Sequence, residues 1–542
     1  MKPIALYLPF GPVHLRNLLI LSRHMPEWDF VICHSTRTES LAACPAGNGF
    51  SWLNLDDIDS YLIAAGQRIK VAIFSKVFPD KEIFLLLAAL IRHKLPAIAI
   101  EEVNQHAMTE GRINNYIVPI DHLFLASPYE ADALTGLGVP AEVVEVTGWP
   151  FHSQLLDDGI DHRSEIRARL GIQGDEEVIT LALSLLSDGA GAVASTETQR
   201  VRHDLITTVE AARLPGQRTV VKLHPREDFD AGVRSVKSCS PRVIVAPPDL
   251  SIHHVLEISA ACINRGNSQV ILEALLRSIP VLLVPLGLKT IFDGTNSKEV
   301  LSGSEDLRNA LLRLRRGIRP DYSAVLANHS PIAPDRAIAR VVHRIEEIAC
   351  EPLTRHPDML VGILLWAASL QYQDVTESLV PHLSQDSRSD LLQSVKALLR
   401  ECATHHDIKT ILNNVNIGLL SQAVLAIWLR QLSKYGANRE DLALLSSIQD
   451  FPSDTNSYRY LQHYLLAAEL LASGGYRDRA EVILEKVKEY PGLSLRWPDL
   501  WRSLCWQMGD YTPRNGYYWM RRKLGRGFRK IRMQRRVLNE DN

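Results

Sequence analysis

The sequence predicts an α/β fold with two doubly wound domains in tandem, followed by an all-helical region. Short apolar runs alternate with helical patterns over roughly residues 1–350, which is the pattern of βαβ units around parallel sheets. One polar stretch, after Thr147-Gly148-Trp149-Pro150, divides this series in two. Beyond Pro357 the helical periodicity continues nearly to Asp510 without a convincing strand pattern.

The first domain is predicted to span residues 1–155. Its buried-strand runs are 4–8, 30–33, 71–75, 97–100, 122–126 and 143–146, and helical patterns cover 13–24 and 81–93. Asp56 and Asp57 look superficially like an acidic metal-binding motif, but they open a helical pattern before Tyr61 and are interpreted as capping acids. We therefore predict no metal site in the protein.

The second domain is predicted to span residues 156–352. Its strand runs are 178–183, 219–223, 243–245, 261–264 and 281–284, and its last helices cover 305–316 and 335–350. The loop 184–195 contains Gly189 and Gly191, which would let the backbone lie close to a ligand. This loop is a weak signal, since no GxGxxG motif is present.

Residues 355–510 are predicted to form an all-helical domain of stacked helix pairs that binds a protein partner or braces the fold. The spacing of a single tetratricopeptide unit is found at Tyr464, Ala467, Ala468, Leu471, Gly475, Ala480 and Val487. We expect a core position, rather than a functional surface, for Trp366, Trp428, Trp497, Trp501 and Trp506.

Composition excludes several classes of protein. The 542 residues are 46% hydrophobic and 23% charged with a formal net charge of −2, so the overall charge does not predict nucleic-acid binding. Seven cysteines without a CxxC pair are typical of a reducing compartment and predict no structural zinc. We expect a cytoplasmic protein, because neither a signal peptide nor a membrane-spanning run is visible.

Residues 511–542 are predicted to form a basic amphipathic tail. Ten Lys or Arg and no acidic residue lie between positions 511 and 539. Met520, Leu524, Phe528 and Ile531 recur among them at helical spacing. Such a segment is expected to lie on an anionic membrane surface, at roughly 1 kcal/mol per basic residue. This predicts a peripheral protein on the inner face of the cell membrane; a solvated or RNA-attracting tail is the alternative.

The first candidate binding site is the polar turn after the strand 219–223. Pro225 lacks an amide hydrogen and disfavours helical geometry at His224, so the strand stops there. In an open parallel sheet, ligands bind outside the carboxyl ends of the strands. Lys222, His224 and Arg226 would then lie where an anion docks, with Arg226 offering a planar fork to phosphate oxygens. A proline-terminated strand with solvated charges is the alternative interpretation.

The second candidate site follows the strand 261–264. Gly266, Asn267 and Ser268 precede a helical pattern over 269–277, and Ser268 is a favourable N-cap. A helix N-terminus next to a glycine is an anion site, because its amides and its dipole favour negative charge. Glu273 lies five residues into this helix. An ordinary helix cap is the alternative for Ser268 alone.

These motifs resemble those of a known group of enzymes. Lys222-Leu223-His224-Pro225-Arg226 is similar to the KxHPR stretch of bacterial surface-polysaccharide transferases, which include capsule Kdo transferases, CDP-glycerol glycerophosphotransferases and HP-motif sialyltransferases. The segment 267–274 resembles their S-x4-E-A motif, and the segment 147–150 resembles the TGxP that closes their first domain. The resemblance covers roughly residues 1–350 and implies the GT-B architecture, two Rossmann-like domains with a cleft between them.

The resemblance also implies roles for the nucleotide-binding residues. His224 and Pro225 would contact the phosphate or base of a nucleotide, Ser268 a phosphate oxygen and Glu273 a ribose hydroxyl. Lys222, Arg226 and Asn267 belong to the same two motifs and are included in the predicted site.

In inverting GT-B enzymes the catalytic base comes from the first domain, which makes the polar residues at its strand ends the candidates. Glu101 and Glu102 follow the strand 97–100, and adjacent carboxylates resist joint ionisation, which raises one pKa toward that of a general base. Val103 replaces the glycine of the family's acid-acid-Gly signature. His14, after the first strand, is the other candidate. A solvated strand end and a helix-start histidine are the respective alternatives.

The sequence therefore predicts a metal-independent glycosyltransferase that uses a CMP- or UDP-linked sugar donor, without a cofactor. Its expected acceptor is a cell-surface glycan or a lipid-linked precursor, in capsule or lipopolysaccharide biosynthesis. A CDP-glycerol-type glycerophosphotransferase and a UDP-sugar 2-epimerase are alternatives, although the epimerase HxEAG stretch and the glycerophosphotransferase tryptophan-histidine-glycine signature are not found. A non-catalytic scaffold of a polysaccharide assembly complex is the third alternative.

Overall fold

A computed structural model gives the structure of most of the chain. It describes residues 2–9, 11–35, 49–75, 81–100, 120–136, 139–155, 162–183, 196–224, 227–266, 268–285, 290, 292, 299–353, 358–381, 389–400, 403–414, 420–435, 437–447 and 458–487. The predicted membrane-binding tail, residues 511–542, lies outside the described residues, as does the loop 184–195. Among the described residues, no helix combines the length and the apolar composition that a membrane span requires.

The first domain contains a seven-stranded parallel sheet with the order β3-β2-β1-β4-β5-β6-β7. Its strands are β1 (Ile4–Leu8), β2 (Asp29–His34), β3 (Ser51–Asn54), β4 (Ile69–Phe74), β5 (Ala97–Ile100), β6 (His122–Leu125) and β7 (Val144–Val146). Its helices are α1 (Pro12–His24), α2 (Ile58–Ala65), α3 (Lys81–His93) and α4 (Pro128–Gly136), with 3-10 turns at Leu55–Asp57, Gly66–Arg68, Ala141–Val143 and Pro150–Leu155. The predicted doubly wound fold is confirmed.

The strand order of the first sheet reverses between β1 and β4, and side chains fix this point. The hydroxyl of Ser75, just after β4, donates to the carbonyl of Leu8 at 2.9 Å. The hydroxyl of Tyr7 donates to the carbonyl of His14 at 2.9 Å, which ties β1 to the start of α1. The carboxyl edge of the sheet is therefore held where a ligand of an α/β fold is expected.

The second domain contains a five-stranded parallel sheet with the order β10-β9-β8-β11-β12. Its strands are β8 (Glu177–Ala182), β9 (Gln217–Lys222), β10 (Ile244–Val245), β11 (Ser259–Asn264) and β12 (Val281–Leu283). Its helices are α5 (Arg163–Arg169), α6 (Thr196–Ala212), α7 (Phe229–Cys239), α8 (Ile252–Glu257), α9 (Gln269–Leu276), α10 (Ser304–Arg315), α11 (Ser323–His329) and α12 (Pro334–Ile348). This sheet reverses its order between β8 and β11, so the tandem arrangement is also confirmed.

The two α/β domains share a hydrophobic cluster. It joins Leu15 and Leu18 of α1 to Ile271 of α9 and to Ile338 and Val341 of α12. Helix α12 ends the second domain in the sequence, yet it packs against the first domain and against the 3-10 helix Pro150–Leu155. Apolar burial of this kind contributes about 25 cal/mol per Å², which holds the two domains together.

An ion-pair network strengthens the contact between α12 and the first sheet. The guanidinium of Arg344 lies 2.7 Å from the carboxylate of Glu145 on β7, and His122 on β6 lies 3.0 Å from the same carboxylate. Burial alone would raise the pKa of Glu145, but the hydrogen bonds from His122 and Arg344 lower it below its usual range. The pair is half-buried, so breaking it leaves a poorly solvated charge.

The helical region packs on the first domain through α3. Its helices are α13 (Asp358–Ser369), α14 (Gln373–Leu379), α15 (Ser389–Leu399), α16 (His405–Asn414), α17 (Leu420–Tyr435), α18 (Arg439–Ser447), α19 (Tyr458–Ser473) and α20 (Arg477–Val487). Lys81 forms an ion pair of 2.8 Å with Asp374, and Arg92 donates to the hydroxyl of Ser378 at 3.2 Å. The apolar side chains on both sides of this contact form one continuous cluster.

The predicted core positions of the helical region agree with the structure where it is described. Trp366 and Trp428 are fully buried, whereas Trp497, Trp501 and Trp506 lie outside the described residues. Helices α19 and α20 form a hairpin, and Ala467, Ala468 and Ala480 are buried in it. A helical hairpin is therefore present at the tetratricopeptide-like spacing, and the stacking of helix pairs throughout residues 355–510 remains a prediction.

The turn at Gly148 sets how closely the two α/β domains approach. Gly148 has φ +84° and lies two residues after the end of β7. A Cβ atom added to it would lie 2.7 Å from the Cβ of Ala337 and 2.9 Å from that of Ile332. The backbone therefore packs directly against α12, which only glycine allows at this position.

We expect Gly148→Ala to lower the free energy of unfolding by about 2–5 kcal/mol, because it adds overpacking to the strain of a positive φ. Gly216→Ala is the matched control, since Gly216 has φ +77° but open space around its Cβ position. The control should cost only about 1–2 kcal/mol. Urea denaturation of both variants measures the difference, and equal losses would refute the close packing against α12.

Candidate functional site

The carboxyl edge of the second sheet brings together the described residues of both predicted motifs. Lys222 ends β9 and His224 follows it, while Ser268 and Glu273 belong to the start of α9. Pro225, Arg226 and Asn267 lie outside the described residues. β8 lies between β9 and β11 in the sheet. The motif after β9 and the motif after β11 therefore flank β8, beside the point at which the strand order reverses.

The turn between β11 and α9 is held by the side chain of Asn264. Its amide nitrogen donates to the carbonyl of Ala182 at 3.0 Å, and its amide oxygen accepts from the backbone N–H of Gly266 at 2.9 Å. Asn264 is fully buried. One side chain thus ties the end of β11 to the end of β8 and shapes the turn that leads into α9.

Ser268 occupies the N-cap position of α9, as predicted, but its hydroxyl makes no capping hydrogen bond. Its backbone is extended, with φ −159° and ψ 144°. The first amides of α9 carry the positive end of the helix dipole, and the hydroxyl stands beside them. This arrangement suits an anionic oxygen, which would satisfy the amides that the side chain leaves uncapped.

Lys222 braces a neighbouring loop. Its ammonium group donates to the carbonyl of Pro247 at 2.9 Å and lies 3.5 Å from that of Pro248. Burial lowers the pKa of Lys222, and the charge of Arg16 lowers it further, whereas Asp249 raises it. The cation therefore fixes the turn between β10 and α8, and a contact with phosphate remains a prediction.

The turn that carries His224 is anchored from α6. Arg202 and Glu227 form an ion pair of 2.6 Å, with only 11% and 12% of their side chains exposed. The backbone N–H of Glu227 donates to the carbonyl of His224 at 3.0 Å, which closes the turn. His224 is half-buried at this edge. Because the pair is nearly buried, removing one partner would leave an uncompensated charge beside this turn.

Glu273 faces α8 from the second turn of α9. One carboxylate oxygen lies 3.9 Å from Nδ1 of His253, and Arg277 lies 3.9 Å from Glu257 one turn further along both helices. Burial lowers the pKa of His253 to about 4, and the charges of Arg277, His254 and Arg16 contribute. His253 is therefore neutral at pH 7, and the carboxylate of Glu273 is not neutralised by it.

His152 is a residue of this site that the sequence analysis missed. It belongs to the 3-10 helix that closes the first domain, is 1% exposed, and lies beside Gln269 at the start of α9. Burial lowers its pKa to about 3, and His253 contributes. Within the described part of the chain, neither ring nitrogen makes a hydrogen bond of good geometry. In the sequence, the available indication was its position two residues after the TGxP-like segment 147–150.

Of the first-domain candidates for a catalytic base, the structure describes only one. Glu101 and Glu102 lie outside the described residues, immediately after β5 ends at Ile100. His14 lies in the first turn of α1 and is only 5% exposed. Its backbone N–H donates to the carbonyl of Gly11 at 3.0 Å, as in a helix start. Its role as a base remains a prediction.

Two more polar residues missed by the sequence analysis lie at the carboxyl edge of the first sheet. The hydroxyl of Ser35, just after β2, donates to the carboxylate of Glu82 in the first turn of α3. Glu82 is buried. The sequence could have pointed to them, because Ser35 is a polar residue directly after an apolar strand and Glu82 is an acid at a helix start. Among the described residues, no group of three or more His, Cys, Asp or Glu side chains is arranged to hold a metal ion.

Glu130 is a buried acid in the first turn of α4, and its contacts are those of a capping box. The backbone N–H of Ala126 donates to its carboxylate at 3.1 Å, and its own N–H donates to the hydroxyl of Ser127 at 3.3 Å. Burial raises the pKa of Glu130 to about 8, against hydrogen bonds that lower it. Its role is therefore structural, at the start of α4.

The raised pKa of Glu130 makes stability depend on pH. The folded protein keeps a proton on Glu130 that the unfolded chain releases above the ordinary pKa of 4.5, so stability is lost as pH rises toward about 8. We expect Glu130→Gln to weaken the fall in melting temperature between pH 5 and 8. Asp132→Asn, an exposed change on the same helix, should leave it unaltered. An unchanged pH dependence in the Gln variant would contradict the prediction.

Comparison with known proteins gives resemblances to solved structures only. Neither a protein-family model nor a curated protein matches the sequence. A putative UDP-N-acetylglucosamine 2-epimerase from Listeria monocytogenes has 14% identity and a TM-score of 0.47, covering 66% of this chain and 98% of that one.

Two further solved structures give similar values. The UDP-GlcNAc 2-epimerase from Neisseria meningitidis bound to UDP-GlcNAc has 14% identity and a TM-score of 0.46, covering 64% of this chain and 100% of that one. The wall teichoic acid polymerase TagF has 11% identity and a TM-score of 0.44, covering 65% and 90%. The fold assignment of this chain rests on the strand order of its two sheets.

Proposed function

We propose that this protein is a glycosyltransferase of the GT-B type, which transfers a sugar from a CMP- or UDP-linked donor to a cell-surface glycan or a lipid-linked acceptor. The observation that carries the proposal is the switch point of the second sheet. There the uncapped N-terminus of α9, the hydroxyl of Ser268 and the turn of His224 lie at one edge. A nucleotide phosphate is the ligand that such a site suits best.

The chemistry follows from the charges at this edge. As the donor bond breaks, negative charge develops on the leaving phosphate, and the amides of α9 with His224 stabilise it. Glu273 lies one turn inside the helix, where its carboxyl group can accept a hydrogen bond from a ribose hydroxyl. In this mechanism neither a metal ion nor a cofactor is required.

The acceptor must lose a proton as it attacks. We assign that step to the first domain, with Glu101, Glu102 and His14 as the candidate bases. His14 needs a rearrangement of the start of α1 to reach a substrate, because its side chain is buried. A lipid-linked acceptor would bring the protein to the inner face of the membrane through residues 511–542, and residues 355–510 would bind a partner protein.

We expect one nucleotide among CMP, CDP, UMP, UDP and GDP to raise the melting temperature of the purified protein. A ligand at about 100 times its Kd stabilises the folded state by roughly 2.7 kcal/mol. His224→Ala and Ser268→Ala should both abolish the shift, because each removes a contact with the phosphate. His343→Ala, a change at a histidine with 74% of its side chain exposed on α12, is the control and should retain the shift.

The identity of the nucleotide separates the possible donors. UDP would support a UDP-linked sugar donor. CMP is the leaving group of both a CMP-linked sugar and CDP-glycerol, so turnover of CDP-glycerol with release of CMP would favour a glycerophosphotransferase. Turnover of a UDP-sugar in the absence of an acceptor would favour an epimerase. A shift with none of the five nucleotides would contradict the proposal and favour the scaffold.

A further inference from the structure

Arg16 lies on α1, which packs against α12 and against the 3-10 helix Pro150–Leu155, and that 3-10 helix also packs against α9. It occupies the second turn of α1, between Leu15 and Leu18. Both leucines belong to the same buried cluster as Ile271 and Leu272 of α9. The side chain of Arg16 is exposed while its neighbours are buried, so it lies at the rim of the contact between α1 and the second domain.

The positive charge of Arg16 acts on two groups of the second domain. It lowers the pKa of Lys222 at the end of β9 and that of His253 on α8. These two residues belong to different elements at the carboxyl edge of the second sheet, so Arg16 lies close to that edge. Among the described residues, no carboxylate forms an ion pair with Arg16.

Like charges that approach one another reduce stability unless an anion lies between them. Here the guanidinium of Arg16 comes from one domain and the ammonium group of Lys222 from the other, and the carboxylate of Asp249 also acts on Lys222. An arginine at the rim of a domain contact also has a planar fork that binds phosphate with two hydrogen bonds. The two domains together therefore supply two cations near one edge of the second sheet, one from each domain.

We propose that Arg16 is a phosphate-binding residue supplied by the first domain, which contacts the phosphate of the nucleotide held at the start of α9. This inference rests on the proposed function, because it assumes a nucleotide at that edge. With Arg16 bound to this phosphate, the nucleotide also joins α1 to α9 and stabilises the packing of the two α/β domains against each other.

The test compares Arg16→Ala with Arg23→Ala in the full-length protein. Arg23 is an exposed arginine seven residues further along α1, hence on a similar face but about 10 Å farther along the helix. Calorimetric titration measures the Kd of whichever of CMP, CDP, UMP, UDP and GDP binds most tightly to the unmodified protein. We expect Arg16→Ala to weaken that binding about tenfold or more, and Arg23→Ala to change it less than about twofold.

Two further variants control for folding and for charge. Arg16→Gln retains most of the aliphatic stem, so it replaces Arg16→Ala if that variant loses its native melting transition. Arg16→Lys keeps the charge without the fork and should give an intermediate Kd. Raising the salt concentration should weaken binding more in the unmodified protein than in Arg16→Gln, because the guanidinium contribution is screened.

The outcomes separate this inference from the proposed function. Unchanged affinity in Arg16→Ala and Arg16→Gln, together with lost affinity in His224→Ala and Ser268→Ala, would refute the role of Arg16 and leave the nucleotide site intact. Equal losses in Arg16→Ala and Arg23→Ala would show a general effect of helix charge and also refute it. If the unmodified protein binds none of the five nucleotides, both proposals fail.

Discussion

The close packing of α12 against the segment from Gly148 to the 3-10 helix Pro150–Leu155 is the constraint on which the arrangement of the α/β domains depends. Without a side chain at Gly148, the backbone of the first domain meets Ala337 and Ile332 directly. Trp149 and Phe151, in edge-to-face contact at 5.0 Å, then enter the hydrophobic cluster shared by both domains. This packing also carries His152 to the start of α9, so the domain contact and the candidate site have a common cause.

The candidate site combines groups whose positions are fixed with groups left available. Asn264, Lys222 and the Arg202–Glu227 pair hold the turns through bonds to backbone or to each other. By contrast, the hydroxyl of Ser268 makes no capping bond. Because these side chains hold the turns in place, the site is preorganised. A ligand then loses less free energy in ordering the site when it binds. The low pKa values of His152 and His253 keep both rings neutral, so burial there does not trap a charge.

Much of the fold could be predicted because buried parallel strands leave continuous apolar runs in the sequence. β5 (Ala97–Ile100) and α3 (Lys81–His93) have the predicted bounds. β3 was missed, since in this edge strand only Leu53 is buried and no apolar run marks it. The edge on which Lys222, His224, Ser268 and Glu273 lie was predictable from strand ends alone. His152 was not, because its neighbours Gln269 and His253 lie in the other domain and more than one hundred positions away.

The attachment of the helical region determines which α/β domain a partner of that region would hold. The hydrophobic cluster around α3 joins the helical region to the first sheet, and its described members include no residue of the second domain. Phe84 of α3 lies 6.1 Å from the ring of Tyr372 between α13 and α14, so the two parts share one core. A partner that holds the helical region therefore anchors the first sheet as well. The second sheet is joined to that anchor through the packing of α12 against Gly148 and the 3-10 helix Pro150–Leu155.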